Sequence, residues 1–237
     1  MTSHADQQPP FSSLEPLSRP IQKDLTLLIP TVGRHMLHAC LLSVLTGERW
    51  PGNITVVDQG RVNDIARWLE EIAALGIATR YLPSTDVGRA RGLNQGLRQV
   101  DTEFVCITDD DCLVDESWIA TIAASLHEQP GLVTTGQVRA TGNEPMLNVA
   151  LGDVAQVSTQ PGKLFDRLSG GNFAAPMAAF WRVGLFDDDE RLAFCEDGEW
   201  AYRALRRGLE IAFEPGAIVS HSGWRSSQER QHQYSGY

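Results

Sequence analysis

Phe104-Val105-Cys106-Ile107-Thr108-Asp109-Asp110-Asp111 is the stretch on which the reading of this 237-residue chain turns. Its first half is an unbroken run of apolar and β-branched residues, the pattern of a short strand buried on both faces. Three adjacent carboxylates then follow. Like charges so close repel, and at least one is driven toward protonation unless a cation is shared among them. Oxygen ligands of this kind suit Mg²⁺ or Mn²⁺, which commonly bridge a few carboxylates to substrate phosphates. The plainer alternative is a solvated acidic turn. A second acidic run, Asp187-Asp188-Asp189-Glu190, follows Gly184-Leu185-Phe186 and leads into no strand, so there the solvated turn is the better reading.

Upstream of the triplet the chain repeats one unit. Leu25 to Ile29 is a short buried strand stopped by Pro30, and Leu37, Cys40, Leu41, Val44 and Leu45 recur at helical spacing. Ile54 to Val57 is a β-branched run ending at Asp58, followed by an amphipathic helix marked by Ile65, Trp68, Leu69, Ile72 and Leu75 and stopped by Gly76. A third strand, Ala78 to Leu82, precedes a helix carrying Leu93, Leu97 and Val100. This alternation predicts an α/β fold with a mostly parallel central sheet flanked by helices, in which ligands bind beyond the carboxyl ends of the strands. Asp58 and Asp109 to Asp111 fall at that edge. Downstream, a helix over Trp118 to Leu126 and a strand over Leu132 to Val138 lead into a stretch, 141–169, without periodicity. Order returns at Phe173 to Phe180, then a helix from Asp197 to Arg207 capped by Gly208, then strands at Leu209 to Phe213 and Ala217 to Ser220. Residues 1–22 read as a flexible leader and 226–237 as a polar tail.

Composition narrows the class of partner. With 20 basic and 30 acidic residues the net charge is −10, which argues against a nucleic-acid surface. A phosphorylated small ligand stays compatible, provided a metal or local arginines neutralise it. Cys40, Cys106, Cys112 and Cys195 include no C-x-x-C pair and read as reduced thiols. The opening residues contain no apolar signal core, and no segment approaches a transmembrane span. The expected location is cytoplasmic, or peripheral at the inner face of a membrane. Gly88, Gly92 and Gly96 do not form G-x-G-x-x-G, and no phosphate-binding G-x-x-x-x-G-K-[ST] loop exists.

Taken in order, Leu28-Ile29-Pro30-Thr31, Val56-Val57-Asp58, Thr108-Asp109-Asp110-Asp111-Cys112, Gly170-Gly171-Asn172, Cys195-Glu196-Asp197-Gly198-Glu199-Trp200 and Val219-Ser220-His221 resemble the family-2 glycosyltransferases of the GT-A fold. The match spans about residues 24 to 223. It implies one domain over 23–225, with a nucleotide-binding half (23–115) and a mixed, acceptor-binding half (116–225). It implies that Pro30, Thr31 and Asp58 line the nucleoside pocket. Asp109 and Asp111 then occupy the family's DxD positions, with Asp110 between them, binding ribose, metal or diphosphate.

The segment from Asp86 to Gly96 resembles the family's Gly-containing loop and helix start, which usually ends in Ala-Arg-Asn. Here Leu93 replaces that arginine, leaving Asn94 and either Arg89 or Arg91 as candidates to face the nucleotide. The resemblance makes Asp197 the general base and His221 a metal ligand or diphosphate contact. Gly171, Asn172, Glu196 and Trp200 fall around the donor sugar or acceptor. Bland alternatives stand beside these: helix capping for Glu196 and Asp197, a core anchor for Trp200, a simple turn for Gly170-Gly171.

The implied reaction moves one sugar from a nucleotide-diphosphate sugar to an acceptor hydroxyl, with inversion and with Mn²⁺ or Mg²⁺ assistance. The Q-x-x-R-W signature of processive synthases is absent. Two alternatives remain. One is a sugar-1-phosphate nucleotidylyltransferase, for which Thr31-Val32-Gly33-Arg34 is a poor version of the expected basic loop. The other is a non-catalytic nucleotide-sugar binding protein.

Overall fold

The structure, a computed structural model, describes residues 11, 19–60, 64–141, 152–162, 168–192 and 195–222. In chain order the elements are β1 (Ile21–Thr31), α1 (Leu37–Leu45), β2 (Trp50–Asp58), α2 (Ile65–Ala74), β3 (Ala78–Pro83), α3 (Arg89–Leu97), β4 (Phe104–Ile107), β5 (Cys112–Val114), α4 (Trp118–Glu128), β6 (Val133–Thr141), β7 (Gln156–Ser158), β8 (Phe173–Pro176), α5 (Met177–Val183), α6 (Glu196–Arg206) and β9 (Ile211–Ser222). They build one sheet in the order β3-β2-β1-β4-β8-β6-β9-β5, with β7 also pairing β9. β3, β2, β1 and β4 run parallel, and β8 then reverses direction. The second half is mixed: β6 and β9 are parallel, while β8 against β6 and both β5 and β7 against β9 are antiparallel.

Burial on both faces explains why the central strands read as continuous apolar runs. Leu25, Leu27, Ile29, Phe104 and Cys106 share a core with α1, α2 and α4, whereas Leu28, Val105 and Ile107 share another with α3, α5 and α6. Successive units go outward from β1 to β2 to β3, and the chain then crosses back to place β4 on the other flank of β1. A crevice opens where the direction of winding changes, at the carboxyl ends of β1 and β4. Thr31 and the aspartate triplet lie there.

Four expectations change. β1 does not stop at Pro30 but continues to Thr31, pairing Pro30 with Val57 on β2. The ladder with β4 has ended by Leu28, so the missing N–H of Pro30 breaks nothing on that side. The two late strands are one bent strand, β9. Its register against β6 shifts between Gly136 and Gln137, and a Cβ on Gly136 would lie 2.1 Å from the Ala217 carbonyl oxygen. Pro215-Gly216 therefore marks a bulge and not a break.

Residues 112–114, read only as the sequel to the triplet, form strand β5. The 1–22 leader is not wholly loose either. Phe11 is buried, its ring stacks on His38 at 4.5 Å, and its N–H donates to Glu71 Oε2 at 2.8 Å, while β1 already begins at Ile21. Most of the aperiodic stretch, at 142–151 and 163–167, and the 226–237 tail lie outside the described residues.

Candidate active site

Each wall of the crevice is delivered by the end of an element. Thr31, the last residue of β1, donates from Oγ1 to Asp110 Oδ2 at 2.5 Å and accepts the Gly33 N–H at 3.0 Å. Gly33 turns with φ 89°, a conformation that favours glycine, and this brings Arg34 back over the triplet. Arg34 Nη1 lies 2.6 Å from Asp110 Oδ1 and 3.2 Å from Asp111 Oδ2.

From the next unit, Gln59 bonds the carbonyls of Asp86 and Gly88 and so fixes the loop before α3. Gly88, with φ 130°, launches the helix, and Arg89 emerges as its first residue. Arg89 Nε reaches Asp109 Oδ1 at 2.8 Å, Nη1 reaches Glu196 Oε1 at 2.8 Å, and Nη2 reaches the Gly170 carbonyl at 2.7 Å. One guanidinium thus joins the triplet, the glycine turn and the start of α6.

These two arginines alter the electrostatic argument from sequence. The repulsion among the aspartates is already met by two fixed cations, so it does not by itself demand a metal. The triplet is also differentiated. Asp109 is partly desolvated, which works to raise it, but Arg89 prevails and its carboxyl lies below the usual range. Asp110 is raised, because burial outweighs the help of Arg34 and Thr31.

Across the crevice Asp197 sits in the first turn of α6. Its Oδ2 accepts the Gly170 N–H at 2.7 Å and its Oδ1 accepts the Gly198 N–H at 2.8 Å. Burial dominates its electrostatics, with Arg89 opposing and Glu196 reinforcing, and its carboxyl is pushed up to about 6. A Cβ on Gly170 would lie 2.6 Å from Asp197 Oδ2, and one on Gly171 would lie 3.2 Å from Asp109 Oδ2. The turn passes between the two carboxylates at a distance only glycine allows.

The third group is Asp111 with the end of β9. His221 Nε2 lies 3.4 Å from Asp111 Oδ1, and Cys112 Sγ lies 4.0 Å from the same oxygen. Asp111 Oδ2 and His221 Nδ1 are buried and make no hydrogen bond among the described residues. Asp111 Oδ2 does lie in the ion pair with Arg34 at 3.2 Å, but a carboxylate and an imidazole are the donor types a divalent cation takes, so the residues present fit such an ion.

Other candidates are committed to the scaffold. Asp58 is buried, accepting the Gly60 N–H at 2.9 Å and the Tyr81 hydroxyl at 2.8 Å. Asn94 uses its amide on Phe186, donating to the carbonyl and accepting the N–H, because a buried amide must be satisfied. Asn172 is fully enclosed, donating to the carbonyls of Gln137 and Ala217 and accepting Trp118 Nε1–H. It holds the glycine turn instead of opening to a ligand. Trp200 is buried among Phe173, Phe180 and Phe186 and donates to the Gly184 carbonyl, so it is a core anchor.

Arg91 reaches the Val87 carbonyl and lies 3.9 Å from Asp188; of the two arginines it is Arg89 that meets the triplet. Arg34 was missed. A signal existed: three adjacent carboxylates at a strand end need nearby cations, and one arginine lies just past each flanking Gly-containing loop.

A family model described as glycosyltransferase like family 2 matches residues 22–234. The chain belongs to that family. Among curated relatives of this family-2 glycosyltransferase, it is 23% identical to chondroitin synthase from Escherichia coli over 83% of its own length and 34% of the relative's. It is 22% identical to chondroitin synthase from Pasteurella multocida over 86% of its own length and 25% of the relative's. The chain thus spans about a third or less of these proteins. Staphylococcus aureus TarS 1–349, solved with UDP-GlcNAc, superposes with a TM-score of 0.72 at 16% identity, over 90% of this chain and 61% of that one. The mannosyltransferase PcManGT from Pyrobaculum calidifontis, solved with GDP-Man and Mn²⁺, superposes at 0.65 with 17% identity, over 95% and 63%. Both show the GT-A fold. No helix among the described residues is long and apolar enough to cross a membrane.

Proposed function

We propose that this chain transfers a single sugar from a nucleotide-diphosphate sugar to an acceptor hydroxyl with inversion, Asp197 serving as general base. The observation that carries the proposal is the pair of opposed carboxylate groups: Asp197 and the Asp109 to Asp111 triplet lie on either side of Gly170-Gly171, whose Gly170 N–H bonds Asp197 and whose Gly170 carbonyl bonds Arg89, itself paired with Asp109. Single displacement needs that opposition, since base and leaving diphosphate lie on opposite faces of the sugar. Family membership favours glycosyl transfer over nucleotidyl transfer.

Asp109, Asp111 and His221 would hold a divalent cation, which when bound neutralises the departing diphosphate. Thr31 and the β2 end around Asp58 form the wall against which the nucleoside would lie, with Asp58 oriented by Tyr81. Asp197, held by two backbone N–H groups, keeps a lone pair for the acceptor hydroxyl and takes its proton as the oxygen attacks. Glu196 holds Arg89 in place. Neighbours of the same fold carry UDP-GlcNAc or GDP-Man, so donors of both nucleotide classes are the first to test.

A panel of UDP, GDP and dTDP sugars screened with Mn²⁺ tests the reading. Asp197→Asn is expected to keep donor binding and lose roughly 10²–10⁴-fold in transfer. Full transfer by that variant would remove Asp197 from the role, and no binding of any donor in the presence of metal would sink the function as a whole.

A further inference from the structure

Cys112 follows the triplet directly and is unused by the mechanism above. Its position is set by sheet pairing: Cys112 on β5 is the cross-strand partner of His221 on β9, and directly opposed residues of an antiparallel pair present their side chains on the same face. The thiol therefore stands beside the imidazole, and both stand beside Asp111. One ligand atom from each of Asp111, Cys112 and His221 lies within 4.8 Å of the others. Two of the separations are 3.4 Å, Nε2 to Oδ1, and 4.0 Å, Sγ to Oδ1. Ligand atoms on a tetrahedral zinc sit about 3.3–3.6 Å apart, as its bond lengths require, so little closure is needed.

The sulfur is buried directly beneath the glycine turn. A Cβ on Gly171 would meet Cys112 Sγ at 3.1 Å and Asp109 Oδ2 at 3.2 Å, which puts thiol and aspartate under the same glycine. A buried polar atom beside the cluster lacks a partner. His221 Nδ1 makes no hydrogen bond among the described residues, while the Asp111 side chain, about 1% exposed, has its Oδ2 in an ion pair with Arg34 at 3.2 Å.

We propose that Asp111, Cys112 and His221 form a three-ligand oxygen, sulfur and nitrogen site for a thiophilic divalent cation of the zinc or cobalt type. The inference rests on the proposed metal role of Asp111 and His221, and adds a thiolate that hard-cation chemistry does not need. A carboxylate and an imidazole accept Mg²⁺ or Mn²⁺; a thiolate shifts preference toward softer ions. Binding exchanges the S–H bond for a metal–sulfur bond, and the proton leaves to solvent. Three protein ligands leave a tetrahedral ion one open position for a diphosphate oxygen.

Co²⁺ titration of the full chain, followed by absorption, tests the site. Thiolate ligation gives a sulfur-to-cobalt charge-transfer band in the near ultraviolet together with intense visible bands of tetrahedral cobalt. The wild-type chain is expected to show both. Cys112→Ser is expected to lose the charge-transfer band and to bind Zn²⁺ at least roughly tenfold more weakly, while Mn²⁺ binding by electron paramagnetic resonance changes little. Because the band is read on the wild-type chain, the test survives a variant that folds poorly. Mn²⁺ binding with no charge-transfer band in the cobalt-loaded wild type overturns the thiolate site and leaves the transferase reading intact. No binding of Mn²⁺, Co²⁺ or Zn²⁺ overturns the thiolate site together with the proposed metal role of Asp111 and His221.

Discussion

Asp197 owes its character to position: burial outweighs the attraction of Arg89, and its carboxyl rises from 3.8 to about 6. A base acts as the carboxylate, so kcat/KM is expected to climb as pH rises through about 6 and to level off above it. A flat profile between pH 5 and 7 would contradict the assignment. Stability carries the opposite sign. The folded chain keeps the Asp197 proton when the unfolded chain has lost it, so stability falls as pH rises through the window from about 4 to about 6. Asp197→Asn abolishes that fall and is expected to melt above wild type at pH 7, by about 1 kcal/mol once the partial exposure of the group is discounted.

Arg89 behaves differently, because it touches Asp109, Glu196 and Gly170 at once. Arg89→Met strands the buried Glu196 carboxylate without its cation. A loss of roughly 2–4 kcal/mol in denaturant unfolding is expected, well beyond that of an exposed ion pair.

Helix α3 shows how an element carries the site. It packs on β1 and β2 through Gly96, where a Cβ would lie 2.2 Å from Leu28 Cδ1 and 3.1 Å from Val57 Cγ2. Such close seating holds the helix start, and with it Arg89, against the triplet. Gly96→Val overpacks that contact and is expected to cost about 1–3 kcal/mol, measured by chemical unfolding. A neutral result would mean that α3 can shift outward freely. Strand β9 is the other carrying element. Its bulge at Gly136 and Ala217 lets one strand pair β7 early and β5 late, and the late pairing is what delivers His221 beside Asp111 and Cys112.

At the scale of the whole molecule the crevice lies between a half with parallel strands and a mixed half, and the two apolar cores, one on each face of the shared sheet, tie those halves together. A ligand bound there bridges both and stabilises the folded state in proportion to the logarithm of its concentration over its dissociation constant. A matching nucleoside diphosphate at a hundredfold excess over that constant adds about 2.7 kcal/mol. Thermal melts are expected to rise by several degrees with Mn²⁺ present. Chelation of the metal, or Asp111→Ala, is expected to remove most of the increase. An equal shift without metal would mean that Arg34 and Arg89 alone neutralise the diphosphate.

What the amino-acid sequence determined by itself was the alternation of elements and the edge at which Thr31, Asp58 and the triplet gather, because strand and helix periods are local and strand ends follow from them. The ordered series of short motifs also pointed to Asp197 and His221, and the fold brings His221 to Asp111 and Asp197 to the Gly170 turn beside the triplet. The tertiary structure alone decided which polar residues face the crevice and which are spent on the scaffold. Asn94, Asn172 and Trp200 look functional in the chain, yet each is enclosed and satisfied by partners from distant segments. Arg34 looks ordinary and Arg89 stands in the chain only as one of two candidate arginines, yet each returns to neutralise carboxylates 76 and 20 residues further along the chain. The pairing of Cys112 with His221 likewise depends on a bulge in a strand read as two pieces. Long-range hydrogen bonds and charge pairs leave no periodic trace in sequence, because they are set by where the sheet brings the chain back.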